Sequence, residues 1–152
     1  MLRGLLLVTA LLFGGVSAAQ AELDPLTEMA LETFRETAAA APADTTLEHQ
    51  AKYLMQVKNG LSLYRDNALS AADAKQLSAM IDRQLNAATK ALNSKAADRV
   101  LAEKMRDSAK QAAALMALEP GSQTFIQQMQ SYHSGIGYDA YRYAESKGIE
   151  QL

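Results

Sequence analysis

The 152 residues contain no cysteine and no tryptophan, and only three prolines, at positions 25, 42 and 120. The missing cysteine excludes a disulfide framework, a thiolate nucleophile and a His/Cys zinc site. Histidine is nearly as scarce, with His49 and His133 alone, and there is no G-x-S-x-G elbow, so nothing in the spacing nominates a hydrolytic serine. Gly135-Ile136-Gly137 lacks a third glycine and a preceding strand, which leaves phosphate cradling unsupported. No Glu-x-x-His motif occurs, which sets aside a carboxylate-bridged metal bundle, and no metal site is expected. Methionines 29, 55, 80, 105, 116 and 129 are widely spaced and read as gap-fillers in a core, not as a copper-carrying cluster.

Residues 1–21 have the form of a secretory signal. Arg3 supplies the positive start, Leu5–Phe13 the apolar stretch and Ala19-Gln20-Ala21 a small-residue cleavage site. The apolar stretch is shorter than the roughly 20 residues a membrane span needs, and no later run reaches that length. Cleavage after Ala21 leaves 22–152, one domain by length. An exported chain without disulfides is held by packing alone, and the periplasm fits it best. Setting Arg3 aside, residues 22–152 carry 14 basic and 17 acidic side chains, net −3. That balance argues against a nucleic-acid binder, which needs a basic stripe to displace counterions.

The abundance of alanine and the scarcity of proline favour helix nearly throughout. The clearest stretch is Ser70–Leu118. Ala74, Leu77, Ile81, Leu85, Ala88 and Leu92 repeat at the spacing of one helix face, behind a Ser70 cap with Asp73 three residues on. The stripe resumes as Ala97, Leu101, Met105, Ser108, Ala112 and Leu115, after a five-residue step that rotates it by about 140°. A helical hairpin with a corner near Asn93–Lys95 follows; a single kinked helix is the alternative. Its alanine-rich stripes bury little area each, so flanking segments must complete the core.

Before the hairpin, Asp24-Pro25 opens a first helix with the stripe Leu26, Ala30, Phe34, Thr37 and Ala41, ending before Pro42. Thr45-x-x-Glu48 starts a second, continuous helix striped by Leu47, Ala51, Leu54, Val57, Leu61, Tyr64 and Ala68. Gly60 inside it marks a close crossing or a bend. After Glu119-Pro120-Gly121, Ser122 caps a shorter helix burying Phe125 or Ile126, Met129 and Tyr132. A last helix over roughly 138–146 ends at Gly148, leaving a tail, 149–152, expected to fray. The expected fold class is therefore all-α, a bundle of four long helices plus one or two short C-terminal ones. Alanine-rich stripes fit a homodimer as easily as a closed monomer.

Three groups of residues stand out as candidate sites. Glu28, Glu32 and Glu36 form an acidic ladder on the first helix. From Glu22 to Glu48 there are seven acids and one base, Arg35, whereas Ser70–Leu118 has eight bases against five acids. Either the charges compensate across the bundle, or the ladder is an acidic face for a basic partner or a divalent cation.

The second group lies at the C-terminal end. Tyr132, Tyr138, Tyr141 and Tyr143 are four of the six tyrosines, with His133 and Arg142 among them. Tyrosine and arginine are enriched at binding hot spots, while a short amphipathic helix closing the bundle would use the same rings. Tyr138 and Tyr141 share one helix face, and Tyr143 points elsewhere.

The third group pairs Met29, near the start of the mature chain, with Tyr132-His133 near its end. The segment Glu22–Phe34 and the pair Tyr132-His133 are similar to the two ends of secreted four-helix b-type cytochromes. That resemblance implies haem b, with Met29 and His133 as axial ligands and electron transfer as the function. The middle of the chain does not match, and Gly135 follows the histidine too soon for a long final helix.

The leading expectation is an exported, non-enzymatic binding protein without a cofactor, of the chaperone-like, immunity-type or envelope-accessory kind. It would hold a protein partner through Tyr132, Tyr138, Tyr141 and Arg142, with Glu28, Glu32 and Glu36 as a second surface. The haem-binding electron carrier is the alternative.

Overall fold

A computed structural model describes residues 23–40, 46–95 and 97–152. The proposed signal at 1–21, Ala41-Pro42 and the Thr45 cap lie outside the described residues. Within them the chain is all-α: α1 (Pro25–Ala40), α2 (Leu47–Ala51), α3 (Leu54–Arg65), α4 (Ala71–Leu92), α5 (Arg99–Met116), α6 (Gln123–Ser134) and α7 (Ile136–Ser146). No described helix is long and apolar enough to cross a membrane.

The hairpin is the largest helix pair of the fold, α4 against α5. Ser70 and Asp73 form the full reciprocal cap of α4, and Asp98 caps α5 by accepting from the Leu101 N–H at 3.1 Å. Of the expected α5 stripe, Leu101, Met105, Ser108, Ala112 and Leu115 are all buried. On α4 the buried face takes in Leu77, Met80, Ile81, Gln84, Ala87 and Ala88.

The expected second helix is broken. Its cap is Thr46, whose hydroxyl accepts from the His49 N–H. The helix then stops at Ala51 and restarts at Leu54, and the tail accounts for the break. Gln151 Oε1 accepts from the Met55 N–H at 3.0 Å, and its Nε2 donates to the Ala51 carbonyl at 2.8 Å. One side-chain amide thus replaces the i→i−4 bond that an unbroken helix would form there. The Leu152 N–H adds a bond to the Lys52 carbonyl at 2.9 Å. The tail expected to fray is tied down.

The short α3 becomes the axis of the bundle, packed by α1, α4, α5, α6 and α7. Seven of its twelve residues are buried, so it is covered nearly all round and not along one stripe. Gly60 marks a close crossing: a Cβ there would lie 2.7 Å from Leu77 Cδ1 and 2.9 Å from Phe34 Cε2. Phe34 thereby fixes the orientation of α1, whose buried residues are Leu31, Phe34 and Ala38. The expected face was rotated from this one; Leu26 is 77% exposed. Two cores result. One is built on Phe34, Leu61, Leu77, Phe125 and Tyr132. The other is alanine-rich, with Ala51, Ala88, Ala102, Ala140 and Ala144 around Leu54, Leu101 and Met105.

Candidate functional site: a cation and tyrosine cluster on α3, α6 and α7

The α7 tyrosines divide between two groups of cations, Lys58 with Arg142 and Lys104 with Lys147. The rings of Tyr138 and Tyr141 lie with centroids 6.5 Å apart. Lys58 Nζ, from α3, stands 5.2 Å from the first ring and 5.5 Å from the second. Arg142 adds its guanidinium 5.9 Å from the Tyr138 ring. The Tyr141 hydroxyl donates to Glu145 Oε2 at 2.6 Å, fixing that ring along the helix. Tyr143 turns the other way, as its spacing implies: its hydroxyl donates to the Asp98 carboxylate, and Lys104 and Lys147 lie over its ring.

Lys58 is the residue that sequence reasoning missed. It is only 8% exposed and takes part in no ion pair among the described residues. Burial pushes its ammonium pKa below the ordinary value. The ring faces compensate in part, since a cation over an aromatic face gains about 0.5–2 kcal/mol. The one signal in the sequence was a lysine one residue past Val57 in a segment apolar on most of its other sides.

One turn along α3, Ser62 faces α6. Its Oγ donates to the Lys58 carbonyl at 3.3 Å and lies 3.2 Å from His133 Nε2. The imidazole Nε2 meets the Ser62 hydroxyl as donor or acceptor according to the ring tautomer. The arrangement anchors α6 to α3. Burial pushes the His133 pKa below its ordinary value, and the charges of Lys58 and Arg65 push it the same way.

Of the expected partner-binding residues, Tyr138 is 42% exposed and Arg142 is exposed. Tyr132 lies in the core, on the buried side of α6 that its spacing implies. It is 0% exposed, and its ring packs flat on Gly137, where a Cβ would lie 2.7 Å from its Cζ. Burial pushes its pKa up to about 12, only partly offset by the neighbouring Ser108 hydroxyl.

Glu28, Glu32 and Glu36 are exposed and belong to none of the ion pairs among the described residues. Charge compensation runs opposite to the expected sense. The single base of α1, Arg35, reaches an acid of the hairpin, with Nε and Nη2 donating to Asp73 Oδ1 and Oδ2 at 3.0 and 2.9 Å.

The residues of the haem reading are placed differently from each other. Met29 is 64% exposed on α1, a helix that packs on α3 and α4. His133 is half-buried between α3 and α6 with Nε2 against Ser62. Among the described residues no group of three or more His, Asp or Glu side chains is placed to hold a metal ion.

Compared with protein-family models, with curated proteins and with solved structures, the chain matches none.

Proposed function

We propose that this chain is an exported, non-enzymatic binding protein of the periplasm that holds a protein partner on the α7 face formed by Tyr138, Tyr141 and Arg142. The observation that carries the reading is the Lys58 ammonium set under the two tyrosine rings, 5.2 and 5.5 Å from their centroids, with no carboxylate ion-paired to it among the described residues. The stack holds two aromatic side chains in fixed positions at the surface, so little side-chain entropy is lost when a partner covers them. Tyrosine and arginine presented together are what binding hot spots use. The exported location rests on the signal-like residues 1–21.

The test is capture of a partner from periplasmic extract with the mature protein as bait. Tyr138→Ala combined with Tyr141→Ala is expected to keep the helical circular-dichroism spectrum and lose capture; unchanged capture would contradict the assignment of the face. The haem reading of Met29 and His133 is tested on the same preparation, made with haem supplied. It requires a Soret band that disappears in His133→Ala.

A further inference from the structure

Between the end of α3 and the outer side of α6 lies a half-open cavity of about 450 Å³, lined by Arg65, Ile126, Met129, Gln130, His133 and Ser134. We propose that this cavity binds a small carboxylate with an apolar body, its anionic head on Arg65 and His133 and its body on Ile126 and Met129.

The lining separates into two kinds. Arg65, Gln130, His133 and Ser134 are polar; the Ser134 hydroxyl is spent on the Gln130 carbonyl at 2.7 Å and His133 Nε2 lies 3.2 Å from Ser62, so an anion would draw on Arg65, the Gln130 amide and the Nδ1–H of the protonated imidazole. Arg65 gives Nε and Nη2 to Asp66 at 3.0 and 3.4 Å, which leaves the two Nη1 donors for another acceptor. Ile126 and Met129 are apolar. Ile126 is 42% exposed on a helix whose other large apolar side chains, Phe125, Met129 and Tyr132, are within 2% of complete burial. A cavity of this size falls in the usual range for small-ligand sites, about 300–1,000 Å³, and pairs an apolar wall with few polar groups as such sites do.

Electrostatics fix the sign of the ligand. Lys58, Ser62 and Arg65 follow one another at i, i+4 and i+7, on one face of α3 turned toward His133. Both cations act on the imidazole, and both disfavour its charged form. Asp66 is the carboxylate ion-paired to this group, and it is taken by Arg65. Lys58 has no acidic partner among the described residues, so the group holds uncompensated positive charge beside a cavity. An anion relieves this repulsion; a cation adds to it.

Tyr138 and Tyr141 do not line the cavity, and Lys58 is the one residue shared with the α7 face. The experiment titrates the mature protein with octanoate by calorimetry and follows the His133 ring protons by NMR across pH. Octanoate is expected to bind at one site and to raise the His133 pKa by about one unit, since a bound carboxylate favours the imidazolium. Arg65→Gln is expected to weaken octanoate about tenfold, the scale of one lost charge-assisted bond, and Ile126→Ser to weaken it while the fold stays intact by circular dichroism. Arg65→Gln and Ile126→Ser leave capture of a partner on the α7 face unchanged, so loss of partner capture and loss of carboxylate binding are separately visible. Three results would overturn the proposal. Octyltrimethylammonium could bind as well as octanoate, acetate could match octanoate, or octanoate binding could be indifferent to both Arg65→Gln and Ile126→Ser.

Discussion

The side chain of Gln151 occupies the hydrogen-bonding position that the Met55 backbone would otherwise share with the Ala51 carbonyl. An amide suits that gap because it presents one acceptor and one donor in a plane, matching the N–H on one side and the carbonyl on the other. Gln151→Ala leaves both backbone groups without their partner in a part-buried place. It is expected to cost about 1–3 kcal/mol in a urea melt and to speed hydrogen exchange at the Met55 amide. Gln151→Glu keeps the acceptor for Met55 but sets an oxygen against the Ala51 carbonyl, so it should not rescue. A Met55 amide that exchanges at the same rate in all three proteins would show that the tail does not hold the break.

Arg35 and Asp73 make the stability of the α1–α4 contact depend on acid. The paired Arg35 guanidinium, followed by the bonds from Ser70, holds the Asp73 carboxyl below its ordinary value of 3.8. A lowered carboxyl pKa contributes stability that is fully present above pH 3.8 and is lost as pH falls through the folded value. Arg35 is half exposed, which discounts the pair. Arg35→Met is expected to cost about 1 kcal/mol at pH 7, and the difference from wild type should shrink below pH 3.8. Urea midpoints at pH 7 and pH 3 measure it. A difference that grows in acid would contradict the assignment.

Tyr132 sets the behaviour in alkali. Its hydroxyl is buried without a hydrogen-bond partner of good geometry. Its pKa, pushed up to about 12, exceeds the ordinary value of 10.0 that the unfolded chain would show. Between those values the native state keeps a proton that the unfolded state has lost, so stability falls as pH rises past 10. Absorbance at the phenolate band should show a late-titrating component that Tyr132→Phe removes. Tyr132→Phe removes the unpaired hydroxyl and is expected to be neutral or stabilising by about 1 kcal/mol at pH 7, and to flatten the alkaline loss. Gly137→Ala, by contrast, drives a methyl into the Tyr132 ring and is expected to cost about 1–3 kcal/mol.

The hairpin was legible because its determinants are local. The Ser70 cap, the α5 stripe and the corner after Leu92 all follow from residues within a few positions of each other. What escaped was set at long range. The break at Lys52–Tyr53 depends on a glutamine about a hundred positions away, and no periodicity within 47–65 announces it. The face of α1 is fixed by Phe34 lying on Gly60, which moves the buried stripe toward Leu31 and Ala38. At the candidate site the tyrosine cluster was visible as composition. The cation beneath it was not, because Lys58 meets Tyr138 and Tyr141 only once α3 and α7 have packed. Ser62 and His133 are likewise 71 positions apart.

The central claim is that the exposed edge of the Tyr138 ring is a contact point for a protein partner. Site-specific photo-crosslinking in living cells tests it most directly. A photoreactive phenylalanine analogue replaces Tyr138 in one strain and Lys75, exposed on α4, in another. Illumination is expected to give a discrete higher-mass adduct from position 138, and none from position 75. An adduct of equal yield from both positions, or from position 75 alone, would contradict the assignment of the α7 face.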